Sequence, residues 1–244
     1  TETGNSAGGA VDVILADHET TAAVGQYASV KAGGTVTVAA ATDDFLLLLS
    51  LSAGLSGSGT AAAGGTMAVV ISENKTSAKV LDHAVIKSTS GSVNISADSK
   101  ERLISALASL SAAGTGTGAA GTLSVVIAKS DVLASVGSYV EISAYGAVNG
   151  TASGDSRILI PAMAISAAGN NAVGATVSVN VFNGTVKALI GEYSKLTSAN
   201  DSVVVSSAAK DWILMITLAG GAAPDASIAG TIPGWEDAGC NIDT

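Results

Sequence analysis

The sequence predicts an all-β fold, a parallel β-helix (β-solenoid) of about four repeats of roughly 55 residues each. Three observations carry this. Four landmark segments recur in the same order along the chain. Within them, Val, Ile and Thr alternate with small polar residues at a period of two, the signature of a strand with one buried face. The composition is rich in small residues, with 29 Gly against 3% aromatics and only 3 Pro. Small and β-branched side chains suit thin stacked layers, and a scarcity of proline keeps backbone donors free for pairing.

The first landmark is Gly9-Ala10-Val11-Asp12-Val13-Ile14, which returns as Gly65-Thr66-Met67-Ala68-Val69-Val70 and Gly121-Thr122-Leu123-Ser124-Val125-Val126. Its fourth copy is Ala175-Thr176-Val177-Ser178-Val179. The second landmark has the form Ala-x-apolar-(Gly)-x-aromatic and places Tyr27, His83, Tyr139 and Tyr193 at equivalent points. The third is Val36-Thr37-Val38, then Val93-Asn94-Ile95, Val148-Asn149-Gly150 and Val203-Val204-Val205. The fourth is an apolar run closing on Ser52-Ala53-Gly54, Ser111-Ala112-Ala113-Gly114, Ser166-Ala167-Ala168-Gly169 and Leu218-Ala219-Gly220. The repeats are therefore drawn at 8–63, 64–119, 120–173 and 174–228, with 229–244 starting a fifth or forming an irregular end. No polar capping unit interrupts the pattern at either end, so the chain is expected to be a segment of a longer array.

Stacking such units buries apolar rows that one unit cannot cover alone. With two to three coils per repeat, the segment would be a rod roughly 40–60 Å long. Equivalent residues would then line up in columns. Ala32-Gly33-Gly34, Ser90-Gly91, Asn149-Gly150 and Ala199-Asn200-Asp201 are expected turns. Ser99 to Leu107 is the one stretch with a helical alternative, but its counterparts, one containing Pro161, favour strand. Phe45 to Leu51, Ile158 to Ile160 and Trp212 to Ile216 are expected to be buried strands. None is long enough to cross a bilayer as a helix, so no membrane insertion is expected.

Net charge is −9, from 11 basic and 20 acidic residues. Phosphate recognition needs clustered Lys and Arg, so nucleic acid is not an expected partner. The first residues carry neither a basic nor an apolar leader region. The single cysteine, Cys240, rules out an intramolecular disulfide and a multi-cysteine zinc cluster.

The pattern T-x-A-x-V-G-x-Y-A-x-V, followed by V-x-V-x-A, an apolar run and S-A-A-G-x-G, resembles the repeat region of leukotoxin-like filamentous adhesins and other hemagglutinin-type surface proteins of Gram-negative bacteria. The resemblance runs from about Ala7 to Ile232. It implies a β-helical stalk on the bacterial outer surface or secreted from it, used in adhesion or toxin presentation. It transfers no catalytic residue, because the family's repeat carries none.

A search for chemistry leaves no committed catalytic, cofactor or metal residue. His83 occupies a position that is Tyr in the other repeats, and His18 lies in Asp17-His18-Glu19, which reads as a loop. Neither accompanies a nucleophile elbow or a zinc motif. Paired carboxylates could cleave a glycan. The candidates are Asp43-Asp44, Asp155, Asp211 and Glu236-Asp237. The first three recur at one phase of the repeat, which favours turn-forming roles. The Gly-rich segments near Gly54 and Gly114 lack a P-loop lysine and read as corners. The expectation is a non-catalytic stalk meeting an unidentified host or cell-surface receptor, with neighbouring repeats or copies end to end. A self-assembling filament and a β-helical polysaccharide-active enzyme are the alternatives. The filament would rest on open ends, the enzyme on Asp155 or Asp211.

Overall fold

A computed structural model describes the backbone of residues 4–243 and the side chains of residues 4–232. The side chains of Glu236, Asp237 and Cys240 lie outside the described residues. Regular structure is entirely β. The strands are β1 (Ser6–Val24), β2 (Ser29–Ala32), β3 (Val36–Ser56), β4 (Ala61–Val80), β5 (Val85–Ser88), β6 (Val93–Ala113) and β7 (Thr117–Val136). They continue as β8 (Glu141–Ala144), β9 (Val148–Ala168), β10 (Asn171–Ile190), β11 (Lys195–Ser198), β12 (Val203–Ala222) and β13 (Ala226–Asp243).

The strands form three parallel sheets. Sheet A has the order β1-β4-β7-β10-β13, sheet B β11-β8-β5-β2 and sheet C β12-β9-β6-β3. Each pass through a long A strand, a short B strand and a long C strand closes one coil. Each sequence repeat is therefore a single coil rather than two or three. Register is kept throughout: Gly8 pairs with Gly64, Gly64 with Ala120, and Gly174 with Ala120. The backbone of β13 continues the ladder of β10, with one register shift between Phe182 and Gly184.

The dimensions follow, and they correct the expected rod. Five strands of sheet A make four steps of about 4.8 Å, so the stack is roughly 20 Å deep. A 20-residue strand such as β4 runs roughly 65 Å at about 3.3 Å per residue. The molecule is a broad thin slab, longest along its strands. Ser99 to Leu107 lies within the β6 strand and is not helical.

Two halves of the slab differ in how they are filled. Near sheet B, sheets A and C enclose an apolar core that includes Val80, Ile86, Ile95, Val136, Ile142 and Val148, each at most 5% exposed. Their outer neighbours are polar or charged, as in Glu73, Lys75, Asn94, Asp98 and Lys100. A second apolar cluster, including Val70, Leu103, Val126, Ile158 and Ile160, sits farther along the strands. Beyond it the A and C strands meet in tight turns such as Gly57 to Thr60. There the interior is hydroxyl-rich: Ser52, Thr66, Ser109, Ser111, Thr122 and Thr176 are all buried.

Glycine brings the two sheets close in this hydroxyl-rich half. A Cβ at Gly64 would overlap the carbonyl of Leu110, and one at Gly54 the carbonyl of Ala63. Thr66 Oγ1 donates to the Ala108 carbonyl (2.9 Å), Thr122 Oγ1 to Met163 (2.8 Å) and Thr176 Oγ1 to Leu218 (2.9 Å). The same bond thus recurs coil after coil. Ser111 Oγ adds a bond to the Ala62 carbonyl at 2.9 Å. These hydroxyls satisfy themselves against the opposite sheet rather than against water.

The expected burial of Phe45 to Leu51 and Trp212 to Ile216 is overturned on alternate residues. Phe45, Leu49 and Leu51 are 57%, 68% and 67% exposed, and Trp212 and Ile216 about half exposed. Side chains in a strand alternate sides, and here it is the Leu side that points outward and the Ser side inward.

Candidate functional site

The aromatic column stands at the corner between sheets A and B. Ala28 N donates to Gly25 O at 3.2 Å and Ala84 N to Leu81 O at 3.3 Å, closing four-residue turns. The third residue of each turn is Tyr27, His83, Tyr139 or Tyr193, with φ of 58°, 59°, 56° and 59°. That left-handed geometry is the type II turn's, and glycine usually supplies it. Here ring stacking offsets the strain. The centroids are 4.9 Å apart for Tyr27–His83, 5.1 Å for His83–Tyr139 and 5.1 Å for Tyr139–Tyr193, with planes within 16°. His83 therefore belongs to a stacked ladder.

The acidic candidates are not in turns. Asp43 and Asp44 lie inside β3, Asp155 inside β9 and Asp211 inside β12. Asn149-Gly150 likewise lies within β9, and His18 within β1 rather than a loop. The register sorts the acids into two columns. Asp43, Lys100, Asp155 and Lys210 occupy one, alternating in charge from coil to coil. Asp44, Glu101, Ser156 and Asp211 occupy the adjacent one. Adjacent columns point to opposite sides of a sheet, yet Asp155 and Asp211 both border an open depression of about 730 Å³ together with Arg157, Lys210 and Trp212.

The acids of the outer column pair with arginines of the next outward row. Arg102 of the second coil meets Asp43 of the first at 2.7 Å, and Arg157 meets Asp155 within β9 at 3.1 Å. The hydrogen bond from Arg157 holds the Asp155 carboxyl below its ordinary range. On sheet A, Lys75 and Lys129 bond Glu73 at 2.8 and 3.1 Å. Hydrogen bonds from both lysines, aided by their charge, lower the Glu73 pKa.

The inner column enters a polar belt between the two apolar clusters. His18 Nδ1 lies 3.3 Å from Asp44 Oδ2, and Asn74 Nδ2 donates to the same oxygen at 2.7 Å. Thr76 Oγ1 donates to Thr42 Oγ1 at 2.8 Å, and Ser72 Oγ donates to Glu101 Oε1 at 3.0 Å. Glu101 is 3% exposed. Burial pushes its pKa up, against the Ser72 hydrogen bond, and the negative charges of Asp44 and Asp211 push the same way. A cavity of about 40 Å³ adjoins it, lined among others by Ser130, Ser156, Asp211 and Ile213. Its size and polar lining suit bound water. Among the described residues, no three of His, Cys, Asp and Glu gather in a metal-holding group.

The remaining feature is a pair of apolar outer faces on the hairpin half. Sheet C presents Phe45, Leu47, Leu49, Leu51 and Leu55 in the first coil and Trp212, Leu214, Ile216 and Leu218 in the fourth. Between them a shallow groove of about 410 Å³ runs over Ala106, Ala108, Pro161 and Met163. Sheet A presents Val11, Val13, Leu15, Ile71, Leu123, Ile127 and Val179, all exposed. The alternation Leu47-Leu48-Leu49-Ser50-Leu51-Ser52 held the signal for this inversion. Comparison with protein-family models, curated proteins and solved structures finds no match to this chain.

Proposed function

We propose that this chain is a structural, non-catalytic stalk segment of a large bacterial cell-surface or secreted adhesin, its broad faces serving for contact. The supporting observation is the in-register ladder of one coil per repeat. Such a stack grows by adding coils and keeps every column intact, so contact surface increases with repeat number. Ionisable groups are engaged in coil-to-coil pairs such as Arg102–Asp43 and Lys129–Glu73, in the Arg157–Asp155 pair within β9, and in an internal belt around Glu101. The location is the extracellular space or the bacterial outer surface.

Display of the segment on a non-adherent bacterium tests this. Binding to host cells should rise with the number of coils displayed. Adhesion equal to that of the empty display strain would refute it. A second reading is a self-assembling extracellular filament, favoured by the edges of the stack, where β1, β2 and β3 each have a partner on one side only. Ordered fibres of uniform width in electron micrographs of the purified segment would favour that reading.

A further inference from the structure

We propose that the hairpin half of this slab seats in a lipid bilayer, with its two apolar outer faces among the acyl chains and its charged rows at headgroup level. The proposal supplies the contact partner for the adhesive reading above and rests on that reading only in this respect.

Charge is partitioned along the strands. No Asp, Glu, Lys, Arg or His occurs from residue 45 to 72, from 103 to 128, or from 158 to 186. Each stretch is one hairpin: the end of a C strand, a turn and the start of the next A strand. The turn tips Gly57-Ser58-Gly59-Thr60 and Gly114-Thr115-Gly116 are polar but uncharged. The ionic columns of sheets A and C lie in the other half; the hairpin half carries Asp12 of the first coil, in the column of Ala68 and Ser124, and Asp225 at the turn between β12 and β13.

The two media are inverted in the hairpin half. Leu49, Leu51 and Leu55 stand outside at 66–68% exposure while Ser52, Thr66 and Ser111 are buried inside. In water this arrangement exposes the surface that should be hidden. In hydrocarbon it is the stable one, as in membrane strands with apolar residues outward and polar residues inward. Threonine and serine bonds to the opposite sheet satisfy part of that interior, while the buried hydroxyls of Ser50, Ser105, Ser124 and Ser166 make no protein hydrogen bond. Backbone groups of the inner coils are paired on both sides within the ladders.

The length fits too. Eleven residues from Phe45 to Leu55 span roughly 35 Å, against about 30 Å of hydrocarbon core. The row Phe45, Arg102, Arg157 and Trp212 marks the boundary on sheet C, directly beside the charged column. Aromatic and arginine side chains favour that depth in membranes. On sheet A the boundary falls between Ile71 and Glu73, and between Ile127 and Lys129. Both faces thus change character at one level.

A protein partner would cover one face, whereas lipid surrounds both. Absence of a membrane-length helix has no bearing on crossing by strands. The expectation of no membrane insertion came from run lengths judged by the helix standard, and a strand needs only about 9–11 residues. Outer-coil edges are disfavoured in hydrocarbon, so seating strengthens as more coils or copies join the stack.

The full chain is floated with phosphatidylcholine vesicles, which carry no net charge to steer binding. Co-flotation is expected, and it should persist in 0.5 M salt at about its low-salt level, because apolar burial is not screened. Leu49→Glu with Ile216→Glu should lower the bound fraction roughly tenfold, since charge on a lipid-facing strand is penalised. Both positions are exposed, so matched circular dichroism and thermal midpoints will show the variant folded. Ala39→Glu, on the outer face of the charged half, should bind like the parent. Failure to float, or unchanged flotation of the double variant, overturns the proposal. So does self-association through the same residues that vesicles do not compete away, which would assign the faces to a second copy. Any of these outcomes with a folded, adhesive chain leaves the structural reading standing.

Discussion

At the residue scale, the corner aromatics trade backbone comfort for stacking. Tyr139 touches a ring on each side, Tyr27 on one. Tyr139→Ala should lower unfolding free energy by about 1–2 kcal/mol, Tyr27→Ala by less, in urea titrations. Tyr139→Gly should be milder than Tyr139→Ala, because glycine accepts a φ of 56° without strain. Glu101 offers a test with a definite sign. Burial raises its pKa in the folded state, so it favours folding below the ordinary carboxylate range. It opposes folding as pH rises through that range toward neutrality. Glu101→Gln should therefore stabilise the protein at pH 7, with the gain fading toward about pH 4 in paired urea titrations. The sequence made the aromatic column legible through its spacing, Tyr27 to His83 to Tyr139. It did not reveal the left-handed backbone, because Tyr is not a residue that φ preferences would nominate there.

At the scale of strands and sheets, the paired glycines Gly64 and Gly65 separate two roles. Gly64 faces the Leu110 carbonyl across the interior, whereas nothing lies within 4 Å of a Cβ at Gly65. Gly64→Ala should destabilise by about 1–3 kcal/mol, since backbone must move. Gly65→Ala should be neutral or stabilise by up to about 1 kcal/mol. Thermal melts of the two variants check the contrast. Period-two alternation made the strands legible, along with their order and repeat phase. It could not say which of the two faces is interior, because Leu and Ser alternate equally well either way round. For that reason the run at Phe45 reads as core from the sequence, while the recurrence of Asp43, Asp155 and Asp211 at one phase of the repeat reads as turn chemistry. The inner acid belt around Glu101 was hidden for the same reason: adjacent columns differ by one residue, and sequence does not fix which one turns inward.

At the scale of the molecule, the repeat and the coil are the same object. Deleting residues 64–119 joins residue 63 to Ala120, and Ala120 occupies the column of Gly64 and Gly8. The shortened chain should fold with one coil fewer, losing one strand spacing of about 4.8 Å in solution scattering. A deletion of half that length should not fold, because sheet A residues would fall opposite sheet C. The number of coils per repeat was not legible, since periodicity counts units and not the strands each unit sends round the axis.

The flatness of each coil sets what a longer array of this kind could achieve. With about 55 residues giving only about 4.8 Å of advance, a thousand residues would extend the structure by roughly 90 Å. A single α-helix of that many residues would reach more than ten times farther. Chain length here is converted into frontage, a palisade roughly 65 Å tall, and not into reach along the stacking axis.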